Sequence, residues 1–287
     1  MGRRLNVRQL LQRYGFKPKK TWSQNFLVDE DVLYDIAEAV EWSKARTVIE
    51  LGAGIGALSA LLAGNARRVI AVERDRDLAA LLRNEFANDP VVEVLEANAA
   101  TLDFKELSAR LGEKPAVVGN LPYHMATQIL FHLLDHGANL SHWVLMFQKE
   151  LADRLLAAPG GRDYGVVSVL VQQRTDVERV LVVEPQAFYP RPRVRSSVLR
   201  FWPRAAPRAP VRDWGLFERV VKGAFGQRRK KVRNALQASF GPRLKSGGLD
   251  RALLAANIDG GLRAEQLSIE EFSNLADVLC GEISGDQ

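Results

Sequence analysis

The chain has 287 residues, of which 47% are hydrophobic and 26% charged, as in an ordinary soluble globular protein. This length suffices for one large α/β domain and a small second domain. No apolar run is long enough to span a membrane, and the basic start lacks the apolar stretch of a signal peptide. The single cysteine, Cys280, excludes an intramolecular disulfide, so we expect a cytoplasmic protein without a membrane anchor.

Positive charge is concentrated in one part of the chain. The net charge is +6, but residues 186–233 hold fourteen Lys and Arg residues against two acidic ones, Asp213 and Glu218. The rest of the chain is therefore net acidic. Such a concentration favours a polyanionic partner, and a solvated basic surface stays open as the simpler alternative.

Helical and strand patterns alternate over about the first 200 residues. In chain order, they predict a helix at 5–15, a helix at 29–40, a strand at 47–51, a helix from 58 to 62, a strand at 68–73, a helix at 78–86, strands at 91–95 and 116–119, a helix at 128–134, a strand at 142–147, a helix at 149–157, an apolar segment of mixed type at 164–173 and a late strand at 198–202. This alternation is typical of an α/β fold with a doubly wound, mostly parallel, Rossmann-like sheet.

A break in composition follows that sheet. Residues 203–210 contain three prolines, which do not fit inside a helix or a central strand, so we interpret them as a linker. Beyond the linker only helical periodicity occurs, at 216–225, 228–240, 249–256 and 269–279. We therefore predict two domains, residues 1–203 and 204–287, of which the second is small and all-α.

A glycine-rich turn, residues 50–56, directly follows the first strand. Gly52 and Gly54 allow a tight turn and a close approach of a ligand to the backbone. Glu73 ends the next strand, where a carboxylate can accept hydrogen bonds from ribose hydroxyls. The pattern predicts a nucleoside-binding crevice. Gly52, Gly54 and Ala57 also match a dinucleotide-binding pattern, so an NAD-dependent dehydrogenase stays an alternative.

The tetrapeptide Asn-Leu-Pro-Tyr, residues 120–123, follows the fourth strand and should face the same crevice. The side-chain oxygen of Asn120 and a backbone carbonyl such as that of Leu121 can accept the two hydrogens of an exocyclic amine on a planar ring. Pro122 stiffens the loop, and Tyr123 offers a ring for stacking. The alternative is a plain turn with Tyr123 packed in the core.

With this tetrapeptide in place, the chain resembles the rRNA adenine N6-dimethyltransferases from about residue 18 to 275, and within that family the small-subunit enzymes. The supporting segments are 23–27, 50–56, 73–75, 120–123, 148–150, 164–165, 188–194 and 224–231. The resemblance implies a class I methyltransferase fold and S-adenosylmethionine as cofactor. It also implies dimethylation of two adjacent adenosines near the 3′ end of small-subunit rRNA.

The resemblance also assigns roles to individual residues. Those expected to bind the cofactor are Asn25 and Leu27 at its methionine end, Gly52 and Gly54 along its backbone cradle, Glu73 at the ribose, Asn98 at the adenine, and Asn120. Those expected at the reacting amine are Asn120, Leu121, Pro122 and Tyr123, with Tyr123 and Phe188 enclosing a flipped adenine.

The partner is expected to be small-subunit rRNA within a precursor subunit, bound by a monomer. The residues expected to contact its phosphates are Arg191, Arg193, Arg228, Arg229, Lys230, Lys231 and Arg233, the last five on a predicted helix. No metal site is expected, since His132 and His136 lack further ligands.

Two residues depart from the family pattern. Asn98 stands where the family usually has an aspartate, and it accepts a hydrogen bond without charge. His124 stands where the family usually has asparagine. Two further alternatives stay open at this point: a large-subunit adenine methylase that confers macrolide resistance, and a ribosome-assembly or transcription factor that keeps the fold for binding only.

Overall fold

The computed structural model describes residues 6–16 and 24–284 of the chain. Its strands in these residues are β1 Phe26–Leu27, β2 Thr47–Leu51, β3 Arg68–Glu73, β4 Val92–Glu96, β5 Ala116–Asn120, β6 Trp143–Gln148, β7 Thr175–Val183, β8 Phe188–Tyr189 and β9 Ser196–Pro203. Its helices are α1 Val7–Arg13, α2 Glu30–Glu38, α3 Ala57–Leu62, α4 Arg76–Glu85, α5 Phe104–Leu111, α6 Ala126–Asp135, α7 Lys149–Leu156, α8 Val166–Arg174, α9 Trp214–Phe225, α10 Val232–Phe240, α11 Gly248–Ala255 and α12 Ile269–Ser284.

Seven strands form one sheet in the order β4-β3-β2-β5-β6-β9-β7. The strands from β4 to β6 run parallel to one another, and β9 runs antiparallel to β6. β2 is buried along its whole length, as expected for a central parallel strand covered on both faces. The prediction of a mostly parallel Rossmann-like sheet is confirmed. Each predicted strand is present, with bounds that shift by no more than two residues.

The chain divides into two compact units. The first comprises Met1–Ala152 and Asp176–Pro203, and the second comprises Asp153–Thr175 and Arg204–Gln287. The predicted boundary at residue 203 coincides with the end of the first unit, but Asp153–Thr175 belongs to the second unit rather than to the first domain. The cause is local packing: α8 contacts α9, and the Gln173 side chain bonds both backbone groups of Ala209.

Some elements lie outside the predictions or differ from them. β7 was not predicted, because its exposed residues Asp176 and Glu178 interrupt the apolar run that marks a buried strand. The predicted start of a helix at residue 228 is wrong, since residues 226–229 form a turn, Lys231 is extended and α10 begins at Val232. Successive cations are disfavoured at the positive end of a helix dipole, which explains the later start. The predicted helix at 5–15 is present as Val7–Arg13, and residue 5 lies outside the described residues.

Within the described ranges, no helix combines the length and the apolar character needed to cross a membrane. No three His, Cys, Asp or Glu side chains of those ranges converge as they would around a metal ion. His132 instead bonds the carbonyl oxygen of Leu102 at 2.8 Å and packs with His136 against Phe104.

Gly56 joins the glycine-rich turn to α3 and has a left-handed backbone, with φ at 84°. A Cβ atom at this position would lie 2.5 Å from Cε2 of Phe86 and 2.8 Å from Cδ2 of Leu82. Both neighbours are buried, so neither side chain can move aside freely. The turn that begins α3 therefore depends on the absence of a side chain at Gly56.

We expect Gly56→Ala to destabilise the protein more than Gly112→Ala. Gly112 also has a positive φ, of 69°, but nothing lies within 4 Å of its hypothetical Cβ. The left-handed backbone alone costs about 1–2 kcal/mol in each variant, and overpacking adds about 1–3 kcal/mol for Gly56→Ala only. Urea denaturation of both variants measures the difference, and equal losses would contradict the packing argument.

Candidate active site

A cavity of about 330 Å³ lies beyond the carboxyl ends of β2, β3 and β5. Ligands of open parallel sheets bind at this edge. The predicted site residues that line it are Asn25, Leu27, Gly52, Gly54, Glu73, Asn98, Asn120, Leu121, Pro122 and Tyr123. The structure thus brings together the glycine-rich turn, the end of β3 and the Asn-Leu-Pro-Tyr loop in one site.

The glycine-rich turn takes backbone conformations that other residues rarely adopt. Gly52 and Gly54 have φ angles of 72° and 59°. The backbone N–H groups of Gly52 and Ala53 both donate to the carbonyl oxygen of Val72 in β3, at 2.9 and 3.1 Å. The turn is therefore held flat against the sheet, and its backbone faces the cavity without intervening side chains at the two glycines.

The side chain of Glu73, at the end of β3, holds this turn by hydrogen bonds. Its Oε2 accepts the backbone N–H of Gly54 at 2.8 Å, and its Oε1 accepts those of Arg74 and Asp75 at 2.8 and 2.9 Å. The side chain is buried, and burial raises the pKa of Glu73 although these three hydrogen bonds oppose the shift. Because Oε2 has one donor from the described residues, it keeps a second acceptor site toward the cavity.

A second carboxyl group, that of Glu50, lies beneath the turn and was not singled out from the sequence. It is fully buried, and the hydroxyl of Ser59 donates to its Oε2. Burial is the main cause that raises the pKa of Glu50 to about 8, and the nearby Glu73 contributes in the same direction. At neutral pH the cavity floor therefore carries a protonated Glu50 beside Glu73.

Asn98 follows β4 and caps a short 3-10 turn, Ala99–Thr101. Its Oδ1 accepts the backbone N–H of Ala100 at 3.1 Å. The other end of this amide, the Nδ2 group, has no hydrogen-bond partner among the residues that the structure describes. Asn98 therefore presents a donor where an aspartate would present a second acceptor oxygen.

The Asn-Leu-Pro-Tyr loop continues β5 into the cavity. The Asn120 Nδ2 group donates to the carbonyl oxygen of Asn25 at 3.1 Å, which fixes the orientation of the amide. Oδ1 has no partner in the described part of the chain. Leu121 is buried, and the carbonyl oxygen of Pro122 accepts the N–H of Met125 at 2.9 Å. These two hydrogen bonds hold the loop in place, and the Asn120 acceptor remains available.

Tyr123 is partly buried at the edge of the same cavity. Its hydroxyl bonds the Oγ of Ser196 at 2.7 Å, and Ser196 is fully buried at the start of β9. Burial raises the pKa of Tyr123 above its ordinary value, so the phenol stays neutral. The ring is therefore held by one hydrogen bond at its tip and not by close core packing alone.

Other predicted site residues lie outside this cavity. Phe188 is only 1% exposed and pairs with Leu27 in a two-stranded antiparallel ribbon formed by β1 and β8. Arg191 and Arg193 are exposed and line a second cavity of the first unit. The basic run, defined as Arg228, Arg229, Lys230, Lys231 and Arg233, belongs to the second unit. Lining residues that the sequence analysis missed include Gln24, Glu50 and Arg74.

The sheet order, the glycine-rich turn and the Asn-Leu-Pro-Tyr loop in one cavity define a Rossmann-like methyltransferase. Comparison with known protein families identifies which family of methyltransferases the chain belongs to. The model of the family described as ribosomal RNA adenine dimethylase matches residues 15–280, and the chain belongs to that family. Membership removes the dehydrogenase alternative.

Curated relatives match over nearly the whole chain. Ribosomal RNA small subunit methyltransferase A of Anaeromyxobacter sp. (strain K) is 46% identical over 280 residues, which cover 95% of this chain and 97% of that protein. The protein of the same name from Myxococcus xanthus (strain DK1622) is 44% identical over 273 residues, covering 95% and 94% of the two chains.

Solved structures of similar fold include an rRNA methyltransferase and a dimethyladenosine transferase. The crystal structure of the 23S rRNA methyltransferase ErmE superposes with a TM-score of 0.67 at 26% identity and covers 89% of this chain and 99% of its own. A dimethyladenosine transferase from Plasmodium falciparum has a TM-score of 0.71 at 21% identity, covering 86% and 94% of the two chains, and supports the fold alone.

We expect Glu50→Gln to gain stability relative to the wild type as the pH rises. Below about pH 4.5 Glu50 is protonated in both the folded and the unfolded chain. Between there and its folded pKa of about 8, only the unfolded chain ionises, so the wild type loses stability with rising pH. A shift of this size corresponds to the order of a few kcal/mol.

Urea denaturation at pH 5 and pH 8 measures this effect. The matched control is Glu38→Gln, at an exposed position of α2. A stability difference between Glu50→Gln and wild type that is the same at both pH values would contradict the elevated pKa.

Proposed function

We propose that this protein transfers methyl groups from S-adenosylmethionine to two adjacent adenosines near the 3′ end of small-subunit rRNA, forming N6,N6-dimethyladenosine during subunit biogenesis. It acts as a monomer in the cytoplasm. The observation that carries the proposal is the meeting of the glycine-rich turn, Glu73 and the Asn-Leu-Pro-Tyr loop in one cavity. The choice of small-subunit rRNA is supported by the names of the relatives that are 41–46% identical.

The donor and acceptor set of the cavity fits S-adenosylmethionine. The side-chain-free backbone of Gly52 and Gly54 can cradle it, and the remaining acceptor site of Glu73 suits a ribose hydroxyl. Asn98 lies where the adenine ring would be recognised, and Asn25 and Leu27 would hold the methionine end. When bound, S-adenosylmethionine supplies an electrophilic methyl group on a sulfonium centre.

The chain's own contribution to the reaction is to bind and polarise the target amine. The adenine amino nitrogen is a poor nucleophile because its lone pair is delocalised into the ring. Asn120 Oδ1 and the backbone carbonyl of Leu121 accept its two hydrogens, which localises the lone pair toward the methyl donor. Rigid positioning by this loop then lowers the barrier without a general base, since the amine becomes acidic after methylation.

Stacking holds the flipped base in place. Tyr123 supplies one surface, fixed by its hydrogen bond to Ser196. Phe188 is the second surface in this proposal, and its ring must turn from the buried position in β8 toward the cavity. The β1–β8 ribbon that contains it has two residues in each strand.

Cationic side chains contact the rRNA phosphates. In the basic run, Arg228 already pairs with Glu265 at 3.3 Å, and Arg233 pairs with Asp250 at 2.5 Å. Arg229, Lys230 and Lys231 are exposed and have no ion-pair partner among residues 6–16 and 24–284. We therefore assign the phosphate contacts of the second unit mainly to these three residues.

Asn98→Asp is expected to tighten S-adenosylmethionine binding several-fold. Aspartate can cap the 3-10 turn with one oxygen and present the other to the adenine amino group, and charge-assisted hydrogen bonds are about twice as strong as neutral ones. Calorimetric titration measures the affinity, with Asn65→Asp in an exposed turn as the charge-matched control. Weaker binding by Asn98→Asp alone would remove this residue from the adenine site.

The proposed function is tested with labelled S-adenosylmethionine and unmethylated small subunits, followed by nucleoside mass spectrometry. We expect dimethyladenosine in small-subunit RNA from the wild type and a loss of at least about a hundredfold in turnover for Asn120→Ala. Asn65→Ala, outside the cavity, is the control and should match the wild type.

Each other outcome of this assay points to a different conclusion. Product on large-subunit RNA alone would replace the proposed substrate by that of a large-subunit methylase. If the wild type forms no product on either RNA, the proposed function is contradicted and the protein is a factor that only binds RNA. Turnover of Asn120→Ala within a few-fold of wild type would contradict the polarisation mechanism but not the substrate.

A further inference from the structure

A second cavity of about 670 Å³ lies in the first unit, between two segments of the chain. One wall is the junction of β6 and α7, with Gln148, Lys149 and Glu150. The other wall is formed by residues 184–186 and 191–195. The backbone N–H of Lys149 on one wall donates to the carbonyl oxygen of Arg195 on the other, at 2.9 Å. The position of the two walls relative to each other is therefore fixed by backbone hydrogen bonding.

This second cavity adjoins the reacting loop through β9. Gln148, on its wall, is the antiparallel register partner of Ser196. Ser196 in turn bonds the hydroxyl of Tyr123 at 2.7 Å, and Tyr123 lines the first cavity. Residues paired across antiparallel strands have Cα atoms about 5 Å apart. The two cavities are therefore adjacent, and Ser196 is the residue that connects Gln148 of the second cavity with Tyr123 of the first.

The charges around the second cavity suit a nucleotide. Arg191 and Arg193 are exposed, and neither has an ion-pair partner among the residues that the structure describes. Arg195, by contrast, pairs with Glu184 at 3.9 Å. Free guanidinium groups bind phosphate oxygens, often through two parallel hydrogen bonds.

The remaining polar groups can recognise a base. The amides of Gln148 and Gln186 each offer a donor and an acceptor, which match the edges of nucleobases. The volume also lies within the usual range for small-ligand sites, about 300–1,000 Å³. The second cavity therefore combines phosphate-binding and base-recognising groups.

We propose that the second cavity holds the nucleotide that flanks the target adenosine in the RNA strand. Arg191 and Arg193 bind its phosphates, while Gln148 and Gln186 contact its base. This role rests on the proposed function, because the adjacent first cavity must receive the target adenosine. With both cavities occupied, the first unit recognises two consecutive nucleotides of the RNA and not a single base.

The first test compares two double variants on unmethylated small subunits. Arg191→Gln/Arg193→Gln should lower kcat/KM at least about tenfold and flatten the dependence of log KM on log salt by about 1 to 2, since about two phosphate contacts are lost. The matched control is Arg46→Gln/Arg67→Gln, which removes two exposed arginines that precede β2 and β3 at the opposite sheet edge. The control should behave as the wild type.

The outcomes of this test separate the two proposals. A wild type that does not methylate small subunits would overturn the proposed function. If the wild type is active and both double variants match it, the second cavity has no role in RNA binding, and only the flanking-nucleotide proposal is overturned.

The second test locates the RNA that occupies the second cavity. Gln186→Cys in a Cys280→Ser background is alkylated with an azidophenacyl photoreagent and irradiated with small subunits. We expect a crosslink to a nucleotide that directly flanks a target adenosine, which is either the other target adenosine or the neighbour of the pair. A crosslink confined to a distant part of the RNA, or none, would overturn the proposal even if the arginine variants bind RNA weakly.

Discussion

Glu73 ends β3 with its carboxylate turned back onto the backbone, where three N–H groups from two loops donate to it. One of these loops is the glycine-rich turn, and the other begins α4. The second loop contains Asp75, whose side chain also accepts a hydrogen bond of 3.2 Å from Gln24. Through Gln24 the constraint reaches the 24–27 segment, which in turn holds Asn120 by the carbonyl oxygen of Asn25. The parts of the site are thus connected to one buried carboxylate.

Such an arrangement places two carboxyl groups, Glu50 and Glu73, close together below a ligand cavity. Water is largely excluded there, so ionising both would be costly. Glu50 stays protonated at neutral pH and bonded to Ser59, while three backbone N–H groups donate to Glu73 and oppose the rise of its pKa on burial. Glu50 is therefore neutral beneath the turn, and Glu73 is the carboxyl group assigned to the proposed ribose position.

Most of the sheet and the first cavity could be predicted because buried parallel strands are continuous apolar runs and their carboxyl ends meet at one edge. The features that escaped prediction depend on tertiary contacts. The pairing of β1 with β8 buries Phe188, although its proline-rich surroundings suggest an exposed ring. Similarly, ion pairs with Glu265 and Asp250 occupy Arg228 and Arg233, and both partners are distant in sequence. Glu50 could not be identified as a site residue from the sequence, because the property that sets it apart from other glutamates is its burial, which depends on the fold.

The β1–β8 ribbon has two residues on each strand, and isolated ribbons of this kind are barely stable in water. Leu27 on one strand borders the proposed cofactor site, and its register partner Phe188 belongs to the proposed base platform. Whatever orders one strand orders the other. Under the proposed function the ribbon couples the affinities for cofactor and RNA, and thermodynamic reciprocity requires each ligand to change the affinity for the other by the same factor. Release of the demethylated cofactor between successive transfers would then alter the affinity for RNA through this ribbon.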